Sequence, residues 1–160
     1  LGKKDIAEKY TKKAKEMAAE WVKMADDGDH YRLTFDKPGT WSQKYNLVWD
    51  KLLKLQIFPE KVAETEIAYY LTKQNKYGLP LDNRETYTKT DWIMWTATMA
   101  QDKATFEKFI EPVYLFMDET TTRVPMSDWV FTDNPIQRGF QARSVVGGYF
   151  IKMLEEKLTK

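Results

Sequence analysis

Three stretches of this sequence join Trp or Tyr to carboxylates and a cation. Such a mixture suits a polyhydroxylated or amino-acid ligand, because a flat apolar face can stack on it while aimed donors and acceptors fix its orientation. The first stretch, Gly39-Thr-Trp-Ser-Gln-Lys-Tyr-Asn46 leading to Trp49-Asp50, offers Trp41, Lys44, Tyr45 and Asp50. The second contains Gly78-Leu-Pro-Leu-Asp-Asn-Arg84 and Tyr87-Thr-Lys-Thr-Asp-Trp92, and so presents Asp82, Arg84, Tyr87, Lys89, Asp91 and Trp92. The third runs from Arg123 to Asn134 with Asp128 and Trp129, followed by Gln137-Arg138. Asp50, Asp82, Asp91, Asp128 and Asp133 could supply paired carboxylates as acid and base, the arrangement used in glycoside hydrolysis. Taken singly, Asp82 and Asp91 read as well as turn and N-cap groups, Trp92 and Trp95 as core, and Arg84 as an ion-pair partner. The recurrence on three stretches is what points to a site.

Other chemistries are excluded by residue type. The 160 residues contain no Cys, which removes disulfides, zinc–thiolate sites, iron–sulfur clusters and cysteine nucleophiles. His30 is the single histidine, so a His-rich metal centre or a Ser-His-Asp triad has almost nothing to draw on; it is expected at the surface and is given no role. Ser42, Ser127 and Ser144 each lack a Lys three positions on, and no Gly-rich phosphate cradle occurs, since Gly147-Gly148 lies within a helical pattern. No metal and no cofactor is expected. With 25 basic and 24 acidic side chains, net charge +1 and no segregated basic block, nucleic acid is not the expected partner. No apolar run is long enough to span a membrane. The chain opens on Leu1 directly into a helical pattern, which leads us to expect a piece of a longer protein whose targeting signal lies elsewhere.

The elements that must position these residues read as helices. Ile6, Tyr10, Ala14, Met17, Trp21 and Ala25 recur at steps of three and four, predicting a first amphipathic helix that ends near Asp26 to Gly28. Tyr31, Leu33 and Phe35 alternate with polar neighbours and predict a short strand before the Lys37-Pro38-Gly39 turn. A second helix is expected over residues 44–55, a third from Pro59 through Leu71, a fourth over 90–99 and a fifth over 104–119 that contains Pro112. A sixth is expected over 143–158 with Val146, Tyr149, Phe150, Met153 and Leu154 inward, Gly147-Gly148 marking close approach to a neighbour. Links after the second and fourth helices are short, whereas those after the first, third and fifth run to about 15 residues. In antiparallel helices every second connection falls on the same side, so the three long loops should gather at one end as a binding face. The reading is all-α: six helices in three hairpins, half of a six-hairpin α/α toroid, with a plain six-helix bundle as the alternative.

The residues in these loops also carry a resemblance. Gly39-Thr-Trp-Ser-Gln-Lys-Tyr-Asn-Leu-Val-Trp-Asp-Lys-Leu-Leu53, Tyr77-Gly-Leu-Pro-Leu-Asp-Asn-Arg84, Tyr87-Thr-Lys-Thr-Asp-Trp92, Arg123-Val-Pro-Met-Ser-Asp-Trp129 and Gly139-Phe-Gln-Ala-Arg-Ser-Val-Val-Gly-Gly148 resemble the C-terminal part of the glutaminase A family of fungi and gut Bacteroidetes. The resemblance implies a large extracytoplasmic protein, periplasmic, cell-surface or secreted, with a β-rich N-terminal region and a helical domain similar to six-hairpin glycosidases. Residues 1–160 would be the C-terminal half of that helical domain. It also implies hydrolysis of L-glutamine to L-glutamate and ammonia, and it transfers no catalytic residue.

On this reading Asp82 or Asp91, with Asp50 as a further candidate, activates water. Arg84 and Lys89 hold the amino acid's carboxylate, and Trp41 or Trp92 exclude solvent. Lys44, Tyr45, Tyr87, Asp128 and Trp129 complete the expected binding face. The alternatives are a glycan-active or glycan-binding toroid with Trp41, Trp92 and Trp129 as stacking platforms, and a helical module for protein assembly. Two further expectations follow from half a toroid: exposed apolar side chains that favour self-association or the remainder of the parent polypeptide, and no hydrolysis by the isolated chain.

Overall fold

The computed structural model describes residues 2–158 and shows a mostly helical chain. Its elements are α1 (Lys4–Ala25), a 3₁₀ segment (Tyr45–Leu47) running into α2 (Val48–Leu52), α3 (Glu60–Leu71), β1 (Tyr87–Lys89), α4 (Thr90–Thr98), α5 (Lys103–Glu119), β2 (Trp129–Phe131), β3 (Gln137–Gly139), a second 3₁₀ segment (Ser144–Phe150) and α6 (Ile151–Leu158). The core is built around α4. Ile93, Thr96, Ala97 and Thr98 of that helix are buried, and it packs against α5, α6 and both 3₁₀ segments. Trp41, Val48, Leu52, Ile67, Tyr70, Leu79, Phe109, Val113 and Ile151 close around it. A helix covered on nearly every side is a rigid platform, and α4 carries Asp91 in its first turn.

The three long loops do gather, and backbone hydrogen bonds tie them together. Gln43 N donates to Leu81 O and Asn83 N to Trp41 O, joining the first loop to the second. Tyr77 N donates to Thr132 O and Thr132 N to Thr86 O, joining the second to the third. Gln43 fixes the arrangement from inside: its Nε2 donates to Leu79 O and Pro80 O, and its Oε1 accepts from Thr96 Oγ1 of α4. The two short links, after α2 and after α4, lie together around a cleft of about 590 Å³ lined by residues that include Lys54, Gln56, Pro59, Met99 and Gln101.

Four expectations need correction. Residues 31–35 form no strand: Tyr31 meets Asp26 in an isolated bridge, and its N–H donates to the Glu66 carboxylate at 2.7 Å. The sheet lies instead in the long loops, where β1, β2 and β3 pair antiparallel in that order, Tyr87 opposite Phe131 and Lys89 opposite Trp129. The sixth helix is 3₁₀ until Phe150, because the Gly pair weakens the α-helix and Gly148 must pass close to its neighbours. A Cβ there would lie 2.9 Å from Trp95 Nε1 and 3.0 Å from Asp91 Cβ, so the expected close approach is real. His30 is not at the surface; it is buried and stacked on Tyr69 with ring centroids 4.2 Å apart. The inward faces of the terminal helices are also revised. Ile6, Tyr10 and Met17 of α1 and Phe150 and Met153 of the last segment are half or more exposed, while Ala18, Ala25 and Ile151 are the buried residues.

Candidate functional site

The sequence candidates separate into two groups once their partners are known. Asp50 is occupied, its Oδ1 accepting from Ile57 N and its Oδ2 from Phe58 N at 2.9 Å each, which holds the link between α2 and α3 in shape. Asp82 is occupied by Arg84: Oδ1 accepts from Arg84 N and Nε at 2.9 Å and Oδ2 from NH2 at 2.7 Å. That pair is a local turn, and Arg84 points into solvent. Lys44 Nζ donates to Tyr31 O and Ser42 O and lies 3.3 Å from the buried Glu66. Trp41 packs in the core against Tyr69 and Tyr70. These five residues hold the loops.

The second group meets where β1 enters α4. Lys89 is the last residue of β1 and Asp91 the second of α4, so a strand-to-helix junction aims both. Asp128 immediately precedes β2, and the pairing of Lys89 with Trp129 places it beside them. Lys89 Nζ lies 2.8 Å from Asp128 Oδ2, and Arg143 NH1 lies 3.7 Å from the same oxygen. Thr90 N donates to Asp128 O, and the Tyr149 hydroxyl donates to Thr90 Oγ1. Asp91 is 4% exposed and Asp128 1%. Each keeps one carboxylate oxygen, Oδ1, without a hydrogen-bond partner.

An aromatic wall surrounds the acids. Tyr45 stacks on Trp92 with centroids 4.0 Å apart and meets Trp95 edge-on. On the sheet side Trp129 stacks on Phe140 and meets Tyr87 edge-on, and Lys89 Nζ sits 5.0 Å and 4.6 Å from the Trp129 and Phe140 ring centroids. Such cation–π contact holds the ammonium in place with little water around it.

Electrostatics divide the two acids. Burial pushes the Asp91 carboxyl up to about 6, the negative charge of Asp128 adds to this, and the backbone N–H groups of residues 91 and 92 with Lys89 draw it partly back. Asp128 has its own cation. Tyr45 and Tyr149 are pushed up by burial first, with the Asp91 charge contributing to both. One carboxyl poised to exchange a proton near neutral pH, next to an ion-paired one, is an arrangement suited to general acid–base work on a small polar substrate. Among the described residues no group of three His, Asp or Glu could hold a metal ion.

Tyr45, Tyr87, Lys89, Asp91, Trp92, Asp128 and Trp129 are thus brought together, whereas Trp41, Lys44, Asp50, Asp82 and Arg84 are not. Sequence reasoning missed Phe140, Arg143 and Tyr149. Two of them stand in the segment 139–148, whose aromatic and basic residues close to a Gly pair were the available signal.

Comparison with known proteins supplies an independent measure. A family model described as the glutaminase A six helical-hairpin domain matches residues 1–153. Glutaminase A of Aspergillus oryzae is 32% identical over 160 residues, which cover 96% of this chain and 23% of that protein. A probable glutaminase of Arthroderma benhamiae is 29% identical over 161 residues, covering 82% of this chain and 19% of that protein. The chain therefore spans less than a quarter of the length of these curated relatives. No solved structure matches it.

Proposed function

This chain belongs to the glutaminase A six helical-hairpin family, and from that premise we propose that it forms one wall of an extracytoplasmic amidohydrolase site converting L-glutamine and water to L-glutamate and ammonia. The observation that carries this reading is the buried Asp91 carboxyl, with a free oxygen and an affinity for protons raised into the range of a working acid–base group. Asp91 takes a proton from water as the water oxygen attacks the amide carbon, and returns it to the nitrogen as the carbon–nitrogen bond breaks. Lys89 and Arg143 pair with Asp128, and the partly exposed Arg143 also meets the substrate carboxylate. Tyr45 and Trp92 exclude water from one side.

The exposed apolar residues of α1 and α6 would pack against the remainder of the parent polypeptide, and in its absence they favour self-association. A second reading, a glycan-active or glycan-binding site, is favoured by one feature: the exposed Phe140 stacked on Trp129 beside two carboxylates of unlike environment. Ammonia release from L-glutamine against sugar release from a glycan panel, measured on the full-length protein and its Asp91→Asn variant, separates the two. Ammonia release that Asp91→Asn abolishes supports the amidohydrolase. Sugar release without ammonia overturns it, and binding without turnover of either points to an interaction module.

A further inference from the structure

Where a chain turns left-handed, glycine is the usual residue, because a Cβ makes that conformation costly. Two residues between α2 and α3 depart from this: Lys54 has φ 52° and Gln56 φ 54°. At Lys54 the turn is the stop of a helix, with Lys54 N donating to Lys51 O and Leu55 N to Asp50 O, and a glycine would serve it better. Strain of this kind persists where the side chains themselves are needed. Both residues line the cleft of about 590 Å³ between the two short links. That cleft lies at the other end of α4 from Asp91, since Asp91 stands in the first turn of the helix and Met99, its C-cap, lines the cleft.

The polar groups of the cleft fall into two sets. Asp50 accepts from Ile57 N and Phe58 N, while Lys51 Nζ donates to Thr98 O and Ala100 O and pairs with Glu155. These two residues latch one link to the other. Lys54, Gln56 and Glu60 have no side-chain partner among the described residues. Lys54 and Glu60 carry opposite charges on one cleft, yet they form no ion pair with each other. Leu47, Ala63 and Met99 add apolar surface to the same space. The complement is a molecule with an anionic end, a cationic end and an apolar body. An unblocked peptide has this form, and its backbone amides suit the Gln56 and Gln101 carboxamides. Length narrows the class: a volume of about 590 Å³ is on the order of 8 Å across, and two or three residues of extended chain span about 7–11 Å. A single amino acid would leave most of the space empty, and a neutral sugar offers no charge to either group.

We propose that this cleft is a binding site for a short unblocked peptide of two or three residues, with its carboxylate on Lys54, its ammonium on Glu60 and its amides on Gln56 and Gln101. The site stands whether or not Asp91 is the reactive group. It is tested by calorimetric titration of the full-length protein with L-Ala-L-Leu-L-Ala, its N-acetyl derivative and its C-terminal amide. The free tripeptide should bind, and blocking either end should weaken it by about tenfold or more. Lys54→Gly should remove the preference for the free carboxylate over the amide, and Glu60→Gln the preference for the free amine over the acetyl form. Because glycine suits the left-handed position, Lys54→Gly should melt no lower than the parent, so its lost preference reports the side chain and not the fold. Equal binding of free and blocked peptides, absent binding of all three, or preferences that survive both variants overturn the site. L-leucine binding as tightly as the tripeptide overturns the peptide class, and so does maltotriose binding in its place.

Discussion

Two buried acid–cation centres stand out among the described residues, one under the first long loop and one between the second and third. In the first, Glu66 is 0% exposed and fully served: Oε1 accepts from Tyr31 N, while Oε2 accepts from the Tyr70 hydroxyl and pairs with Lys44. Lys44 is satisfied in turn by two backbone carbonyls. In the second, Asp91 and Asp128 are buried almost as deeply, yet each keeps an unbonded oxygen and two indole N–H groups nearby have no acceptor. Both centres combine carboxylate, ammonium and aromatic rings. What separates them is completeness: a closed network fixes a loop, and an open one is ready for a ligand.

The largest effect should come from breaking the closed centre. Lys44→Met leaves Glu66 buried without its cation and should destabilise the fold by about 3–5 kcal/mol, read by denaturant unfolding. Burial already holds the Lys44 ammonium below its usual range, the Glu66 charge opposing this only in part, so the pair is under the strain that makes one-sided removal costly. In the full-length protein the folded fraction should keep its KM. A rise in KM with little loss of stability would place Lys44 in the binding face after all.

The open centre should respond in the opposite sense. Asp91→Asn is expected to lower turnover of the full-length protein by about 10²-fold or more. It should also stabilise the fold. A carboxyl whose folded value is raised from 3.8 to about 6 binds its proton more tightly folded than unfolded, so stability falls as pH rises through that window and stays lowered above it. Removing the charge should recover about 3 kcal/mol at pH 7, and the gain should vanish below about pH 4. The acidic limb of kcat/KM should lie near 6. A variant that is both inactive and less stable at pH 7 would show a structural Asp91.

Between these extremes lies Asp50, which was a catalytic candidate by composition. Asp50→Ala removes the acceptors of two backbone N–H groups and should cost about 1–2 kcal/mol with turnover per folded molecule unchanged. The contrast shows what the sequence could and could not say. Helix α1, α3 and α5 were legible because their apolar residues repeat at helical spacing, and the gathering of the loops followed from connection lengths. The close approach of Gly148 followed from two glycines in a helical pattern. The sheet was not legible, because three-residue strands carry no periodicity and its first pairing, β1 with β2, spans about 40 positions of chain. Nor was the division of the acids. Whether a carboxylate meets two backbone N–H groups, as Asp50 does, or none at one oxygen, as Asp91 does, depends on loop geometry that residue type does not encode.

The smallest effect should be that of Asp82→Asn. Its two oxygens serve only Arg84, two residues away, and the guanidinium holds the Asp82 carboxyl below the usual carboxylate range against the opposing effect of burial. A lowered value means that this stability contribution is present at neutral pH and is lost as pH falls through the folded value. Because the Arg84 side chain is mostly in water, the pair is screened and should add little to stability, with what it adds declining as salt is raised. Melting of the variant should therefore lie close to that of the parent, and ammonia release by the full-length protein should be nearly unchanged. The outcome also tests the rule drawn from the two centres. If Asp82→Asn abolished turnover while Asp91→Asn kept it, an occupied, solvent-facing carboxylate would be the reactive one, and an unbonded buried oxygen would be no guide to chemistry in this fold.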